Sequence, residues 1–297
     1  MATDSTPASL ETTMENEDSP HPDILFTSVE DILVSLANLD KNQDVFCVGD
    51  VSPETFRDIE AERDRQGKKF GLFYQPAYEA VIITVPTLGH SNMHTILYDM
   101  VRDSLRDMTA HIGWMSLSTT TFDATNGSSG QADSAGWPID SRNAGDWPTL
   151  VVEAGFSQTL PSLRAKMRWW FSASDHQVKM VVLVKMDASH ETICIEKWVE
   201  RPNRPGATTT RQVTRAGLRA PEPFCDQSIN ITWTGPAPIM DMSKQDRTPA
   251  RFRVSGAPLV IGFAEVYLRA PTVGEHDIAI TDVDLQNYAS LIWKYIV

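Results

Sequence analysis

A single glutamate, Glu153, stands in one of the most apolar stretches of the chain, PTLVVEAGFS (148–157). The β-branched and aliphatic residues around it predict a buried strand. A carboxylate inside such a strand is costly unless it is hydrogen-bonded or paired with a positive charge. Backbone amides, an arginine or a bound metal ion can each meet that need, so Glu153 is a candidate for either a structural or a chemical role.

Two histidines, His90 and His94, are spaced i, i+4 near the start of the predicted helix. This spacing suits two ligands of one metal ion, but no glutamate base lies between them and no third ligand accompanies them. The sequence also has no G-x-S-x-G motif, no P-loop and no dinucleotide-binding fingerprint. Neither the histidine pair nor any of these motifs therefore identifies a function.

The segment RPNRPGATTTRQVTRAGLRAP (201–221) holds five arginines and no acidic residue. Its Pro and Gly residues predict a loop. In this segment Arg211, Arg215 and Arg219 are candidates for contacts to DNA phosphates, because a local cluster of positive charge attracts them. The alternative is a solvated loop without a ligand.

The elements that must position these residues follow from the hydrophobic pattern. FGLFY and AVIITVP predict a hairpin, and the segment from Asn92 to Gly113 predicts a long helix. A strand over PTLVVEA, a helix from about Leu160 to Ala173 and a strand over VKMVVLVKM come next. This alternation predicts a mixed sheet with helices packed on its faces.

Three serines are placed to cap helices. Ser28 precedes an apolar stripe with helical spacing, and Ser52 precedes Pro53, a residue that is favoured at the first position of a helix. Ser157 follows the strand of Glu153, so we predict it as the N-cap of the helix that begins near Leu160.

Four segments follow one another in a recognisable order: ADSAGWP (132–138), PTLVVEAGFS (148–157), LRAKMRWWF (163–171) and VKMVVLVKM (178–186). The stretch from about Leu72 to Lys185 resembles the PD-(D/E)XK, restriction-endonuclease-like superfamily. It looks most similar to uncharacterised fungal members and to the bacterial Uma2-like proteins. The resemblance covers a little over a third of the chain.

This resemblance implies an α/β fold with a restriction-endonuclease-like central mixed sheet flanked by helices, with N-terminal helices and a C-terminal strand and helix added. It places Asp133 and Glu153 as ligands of Mg²⁺ or Mn²⁺, both hard cations that prefer oxygen ligands. Such a metal lowers the pKa of a bound water and offsets charge that builds up on a phosphate. The implied activity is hydrolysis of DNA phosphodiesters.

The sequence departs from the superfamily pattern at several positions. Gly155 stands where the pattern has a lysine, and Lys166, on the flank of the following helix, is the replacement candidate. A lysine on an exposed helix flank costs under ~0.5 kcal/mol when it is replaced. Lys179 and Lys185, on the next strand, are poorer alternatives for the lysine. Ala132 replaces the proline of the "PD" segment, and Asp140 or Asp146 could take the role of its aspartate.

Composition restricts the class of protein. A net charge of -13 opposes non-specific attraction to nucleic acid or to anionic membranes. Three widely spaced cysteines do not form a disulfide framework or a metal-binding pattern. The N-terminus does not resemble a secretory signal, and no apolar run has the ~20 residues of a membrane helix. We therefore expect an intracellular protein, cytoplasmic or nuclear, without a membrane partner.

The expected organisation is a disordered acidic tail over residues 1–22 and a single domain over 23–297, with the core at about 70–200 and the arginine-rich loop at 201–221. Two functions fit this sequence. One is a divalent-metal-dependent nuclease with Asp133, Glu153 and Lys166 as catalytic residues. The other is a catalytically degenerate member that serves as a nucleic-acid or protein interaction module, which the glycine at 155 and the acidic composition favour.

Overall fold

The chain forms a layered arrangement of sheets and helices in the computed structural model, which describes residues 20–41, 43–108, 110–117, 120–201, 221–236 and 247–294. The described helices are α1 (Val29–Ala37), α2 (Pro53–Arg65), α3 (Leu88–Asp107), α4 (Leu160–Ala173), α5 (Phe263–Tyr267) and α6 (Asp282–Lys294). Nearly all of the predicted acidic tail and of the predicted arginine-rich loop lies outside the described residues.

The described strands form three sheets. They are β1 (Ile24–Leu25), β2 (Val45–Gly49), β3 (Gly71–Gln75), β4 (Ala80–Thr84), β5 (Trp114–Ser116), β6 (Thr121–Asp123), β7 (Ser129–Gln131), β8 (Ser134–Pro138), β9 (Leu150–Gly155), β10 (Met180–Asp187), β11 (Thr192–Arg201), β12 (Glu222–Trp233), β13 (Phe252–Ser255), β14 (Leu259–Ile261) and β15 (Ile278–Ile280). The first sheet has the order β1-β2-β4-β3-β7-β6, the second β13-β12-β11-β10-β9-β8-β5, and the third β14-β15.

Both large sheets are mixed, which confirms the predicted α/β class. β9 and β10 are parallel neighbours, whereas β8 and β11 join them antiparallel. The predicted hairpin is present as β3 and β4, but it belongs to the first sheet and β9 belongs to the second. The segments therefore build two stacked sheets where the sequence suggested one.

The two sheets enclose α4. One face of the second sheet packs against α3 and α6, and its other face packs against α4. The opposite side of α4 lies on the first sheet, whose far face carries α1 and α2. Because side chains alternate along a strand, Val151 and Glu153 of β9 face α4, whereas Val152 and Ala154 face α3. Glu153 thus points into the layer between the two sheets.

Helix boundaries follow the capping residues closely. Ser28 and Ser52 cap α1 and α2 as predicted, each accepting a backbone amide at 3.1 Å. α4 is capped by Thr159 and not by Ser157, so the prediction for Ser157 is wrong. α3 begins at Leu88, four residues before the predicted start at Asn92, and Thr87 is its N-cap. His90 therefore lies in the first turn of that helix. None of the described helices combines the length and the hydropathy that crossing a membrane requires.

The close packing of β8 predicts a large cost for one added methyl group. A Cβ at Gly136 would lie 2.6 Å from Cε2 of Trp114, whereas a Cβ at Gly71 would meet nothing closer than 3.5 Å. We expect Gly136→Ala to lower the free energy of unfolding by about 1–3 kcal/mol through overpacking, and Gly71→Ala to change it by under ~1 kcal/mol. Urea unfolding of the two variants measures the difference. Equal costs would contradict the packing of β8 described above.

Candidate functional site

Glu153 is paired with two side chains of α4. Its carboxylate is 1% exposed, and Lys166 Nζ lies 2.7 Å from Oε2 while Trp170 Nε1 donates to Oε1 at 2.6 Å. Lys166 and Trp170 are four residues apart on the helix, so one face of α4 carries both donors. The strand position of Glu153 and the helical spacing of its partners together fix this contact.

A charge on either Glu153 or Lys166 is costly in free energy because both side chains are buried. Burial raises the pKa of Glu153 to about 8, because the nearby Lys166 ammonium opposes that effect only in part and the Asp133 carboxylate adds to it. Burial alone would lower the pKa of Lys166, but the carboxylates of Glu153 and Asp133 raise it overall. Lys166 is 5% exposed, so the prediction of a lysine on an exposed helix flank is wrong. The two adjacent carboxylates keep its ammonium charged inside the protein.

Asp133 lies directly before β8 and reaches the neighbouring strand. Its Oδ2 accepts the backbone amide of Ala154 at 2.8 Å, and its Oδ1 lies 3.3 Å from His90 Nε2. Burial would raise the pKa of Asp133, but His90 and Lys166 hold it well below its usual range. The structure therefore brings Asp133, Glu153 and Lys166, three residues singled out in the sequence, into one cluster.

His90 continues the cluster to a residue that the sequence analysis missed. Its Nδ1 lies 3.0 Å from Oδ2 of Asp44, which is fully buried in the segment before β2. Burial lowers the pKa of His90, but Asp133 and Asp44 raise it to about 10, so the imidazole is protonated at neutral pH. Asp44 had no recognisable signal, since it is 46 residues from His90 in sequence and follows no motif.

Asp44 in turn holds the turn that follows β9. It accepts the amides of Phe156 and Ser157, both at 2.7 Å, and the hydroxyl of Ser157 at 2.5 Å. Burial raises the pKa of Asp44, but the bonds from His90 and Ser157 bring it down to about 2. Ser157 thus serves the turn between β9 and α4, which explains why it does not cap the helix.

His94 lies beside this chain of charges in a neutral form. Its Nδ1 is 2.9 Å from the hydroxyl of Ser134, and its ring stands 5.4 Å from that of His90. Burial lowers the pKa of His94 to about 4, because the nearby Asp133 only partly offsets the effect. A protonated His90 and a neutral His94 do not act as two ligands of one metal ion in this arrangement.

The residues of the cluster do not fit a bound divalent cation as they are arranged. Lys166 and His90 already place two positive charges beside the carboxylates of Glu153 and Asp133, so a divalent cation bound there would be repelled by both. Mg²⁺ and Mn²⁺ need several oxygen ligands with free lone pairs and room for water. Across the part of the chain that the structure describes, no three His, Cys, Asp or Glu side chains are grouped to hold a metal ion.

The alternative candidates lie apart from the Glu153 carboxylate. Lys179 Nζ donates to the carbonyl of His176, Lys185 Nζ to that of Phe156, and Asp146 accepts the amide of Asn143. Asp140 lies near Gly113. Arg211, Arg215 and Arg219 lie outside the described residues, so their proposed contact with phosphates stays a prediction.

Comparison with known proteins gives little to transfer. No protein-family model and no curated protein matches the chain. Among solved structures, the chain is similar to a protein described as a "putative nuclease belonging to DUF820" from Anabaena variabilis ATCC 29413. The identity is 9%, the match covers 74% of this chain and 90% of that one, and the TM-score is 0.36. A likeness at this TM-score does not support an inference about function.

The buried pair predicts a strongly non-additive effect of mutation. Lys166→Met would leave the buried Glu153 carboxyl without its ammonium partner, so that it must either stay charged and unpaired or take up a proton, and we expect a cost of about 3–5 kcal/mol in the free energy of unfolding. Combining it with Glu153→Gln removes that charge, and we expect much of the loss to be recovered. Urea unfolding of the single and double variants gives the coupling energy.

The matched control is the ion pair of Arg164 with Glu196, in which the arginine side chain is 38% exposed. Its coupling energy, from Arg164→Met and Glu196→Gln, should be smaller than that of the buried pair, because solvent screens it. Additive effects of the Lys166 and Glu153 substitutions would contradict the contact between their charges.

The raised pKa of His90 makes its contribution to stability depend on pH. The pKa is about 10 in the folded protein and 6.5 for an ordinary histidine. The contribution is therefore fully present below about pH 6.5 and is lost as the pH rises toward 10. The difference in unfolding free energy between the unaltered protein and His90→Gln should shrink across that window. His190→Gln, at a histidine whose side chain is 76% exposed, is the control, and a constant difference for His90 would refute the charged state.

Proposed function

We propose that this chain is a catalytically degenerate relative of the PD-(D/E)XK proteins that acts as an interaction module. The observation that carries the proposal is the pairing of the Asp133 and Glu153 carboxylates with two positively charged side chains of the protein, those of His90 and Lys166. A divalent cation at these carboxylates would compete with both positive groups, and both are buried. Each displaced donor would then lose its partner, at a cost of about 1–3 kcal/mol or more for a charged group.

The position where the superfamily pattern has its lysine supports the same proposal. A Cβ at Gly155 would lie 2.9 Å from Cδ1 of Leu163 and 3.2 Å from Gln158. A longer side chain there requires the turn between β9 and α4 to move. Lys166 instead comes from the helix and binds the Glu153 carboxylate directly, so its ammonium is already committed to that contact.

A metal-dependent nuclease acting on DNA is the second candidate. It is favoured by one specific observation: Asp133, Glu153 and Lys166 lie in one cluster, as the resemblance to that superfamily implied. For this function the cluster would have to rearrange so that the ammonium of Lys166 and the imidazole of His90 make room for a cation between the two carboxylates. Nucleic-acid binding through Arg211, Arg215 and Arg219 is compatible with either candidate.

The two candidates differ in their response to a divalent cation. We expect titration calorimetry with Mn²⁺ to show no saturable binding that depends on Glu153, with the same heats for the unaltered protein and for Glu153→Gln. We also expect no Mg²⁺- or Mn²⁺-dependent cleavage of plasmid or single-stranded DNA. Glu153→Gln keeps the shape of the side chain, and circular dichroism confirms that the variant is folded.

The contrary outcome is equally specific. Saturable Mn²⁺ binding that disappears in Glu153→Gln, together with cleavage that disappears in both Glu153→Gln and Lys166→Met, would replace the interaction module with the nuclease. Cleavage that persists in both variants would remove Glu153 and Lys166 from the activity; it would leave the interaction module standing only if it separates from the protein on further purification, and would overturn it otherwise.

A further inference from the structure

We draw no further inference here: the strongest candidate, the exposed apolar patch of Ile112, Met115 and Ile139 around β5 at the edge of the second sheet, carries no proposal because nothing in the part of the chain that the structure describes shows what covers it.

Discussion

The burial of one carboxylate, that of Glu153, is the constraint on which the arrangement around α4 depends. An ionised side chain in the middle of a sheet must have its charge offset and its oxygens hydrogen-bonded. Lys166 and Trp170 supply both needs, but only if α4 lies across β9 with that face inward. The first sheet then covers the outer side of the helix, and Phe73 brings its ring to 5.9 Å from the Lys166 ammonium.

The charges beyond Glu153 extend this constraint across the molecule. Asp133, His90 and Asp44 follow one another in contact, with the positive imidazole between two negative groups. They belong to segments that are far apart in sequence, before β8, at the start of α3 and before β2, so the contacts join the two large sheets. A buried network of this kind stabilises one arrangement only while every member is satisfied, because each unpaired member would be strongly destabilising.

Local sequence signals were sufficient to predict several of the strands, helices and helix caps, and part of the charged cluster around Glu153. The apolar strand around Glu153, the helix from Leu160 to Ala173 and the caps Ser28 and Ser52 follow from periodicity and capping chemistry, and the structure agrees with them. The resemblance also directed attention to Asp133 and to Lys166. These signals succeed because they act within a few residues along the chain.

What the sequence could not provide depends on contacts between distant segments. Lys166 was expected on an exposed flank because helical geometry alone shows that position between the apolar and polar faces. Lys166 is buried because it lies between β9, where Glu153 binds its ammonium, and the first sheet, where the ring of Phe73 approaches it. Asp44 carries no motif, and its importance follows from reaching Ser157, 113 residues away. Ser157 was predicted as an N-cap because it lies shortly before α4, but its hydroxyl donates to the Asp44 carboxylate instead.

The cluster gives a structural reason for keeping two neighbouring carboxylates inside the protein. Two neighbouring carboxylates repel each other, so a protein that keeps both buried needs positive charge between them. A divalent cation is one source of that charge. In this chain two protonated side chains, those of Lys166 and His90, supply the same total of two positive charges from within the protein. The carboxylates then remain necessary to the fold, because removing either one would leave a buried positive charge without its partner, and that necessity is independent of any reaction.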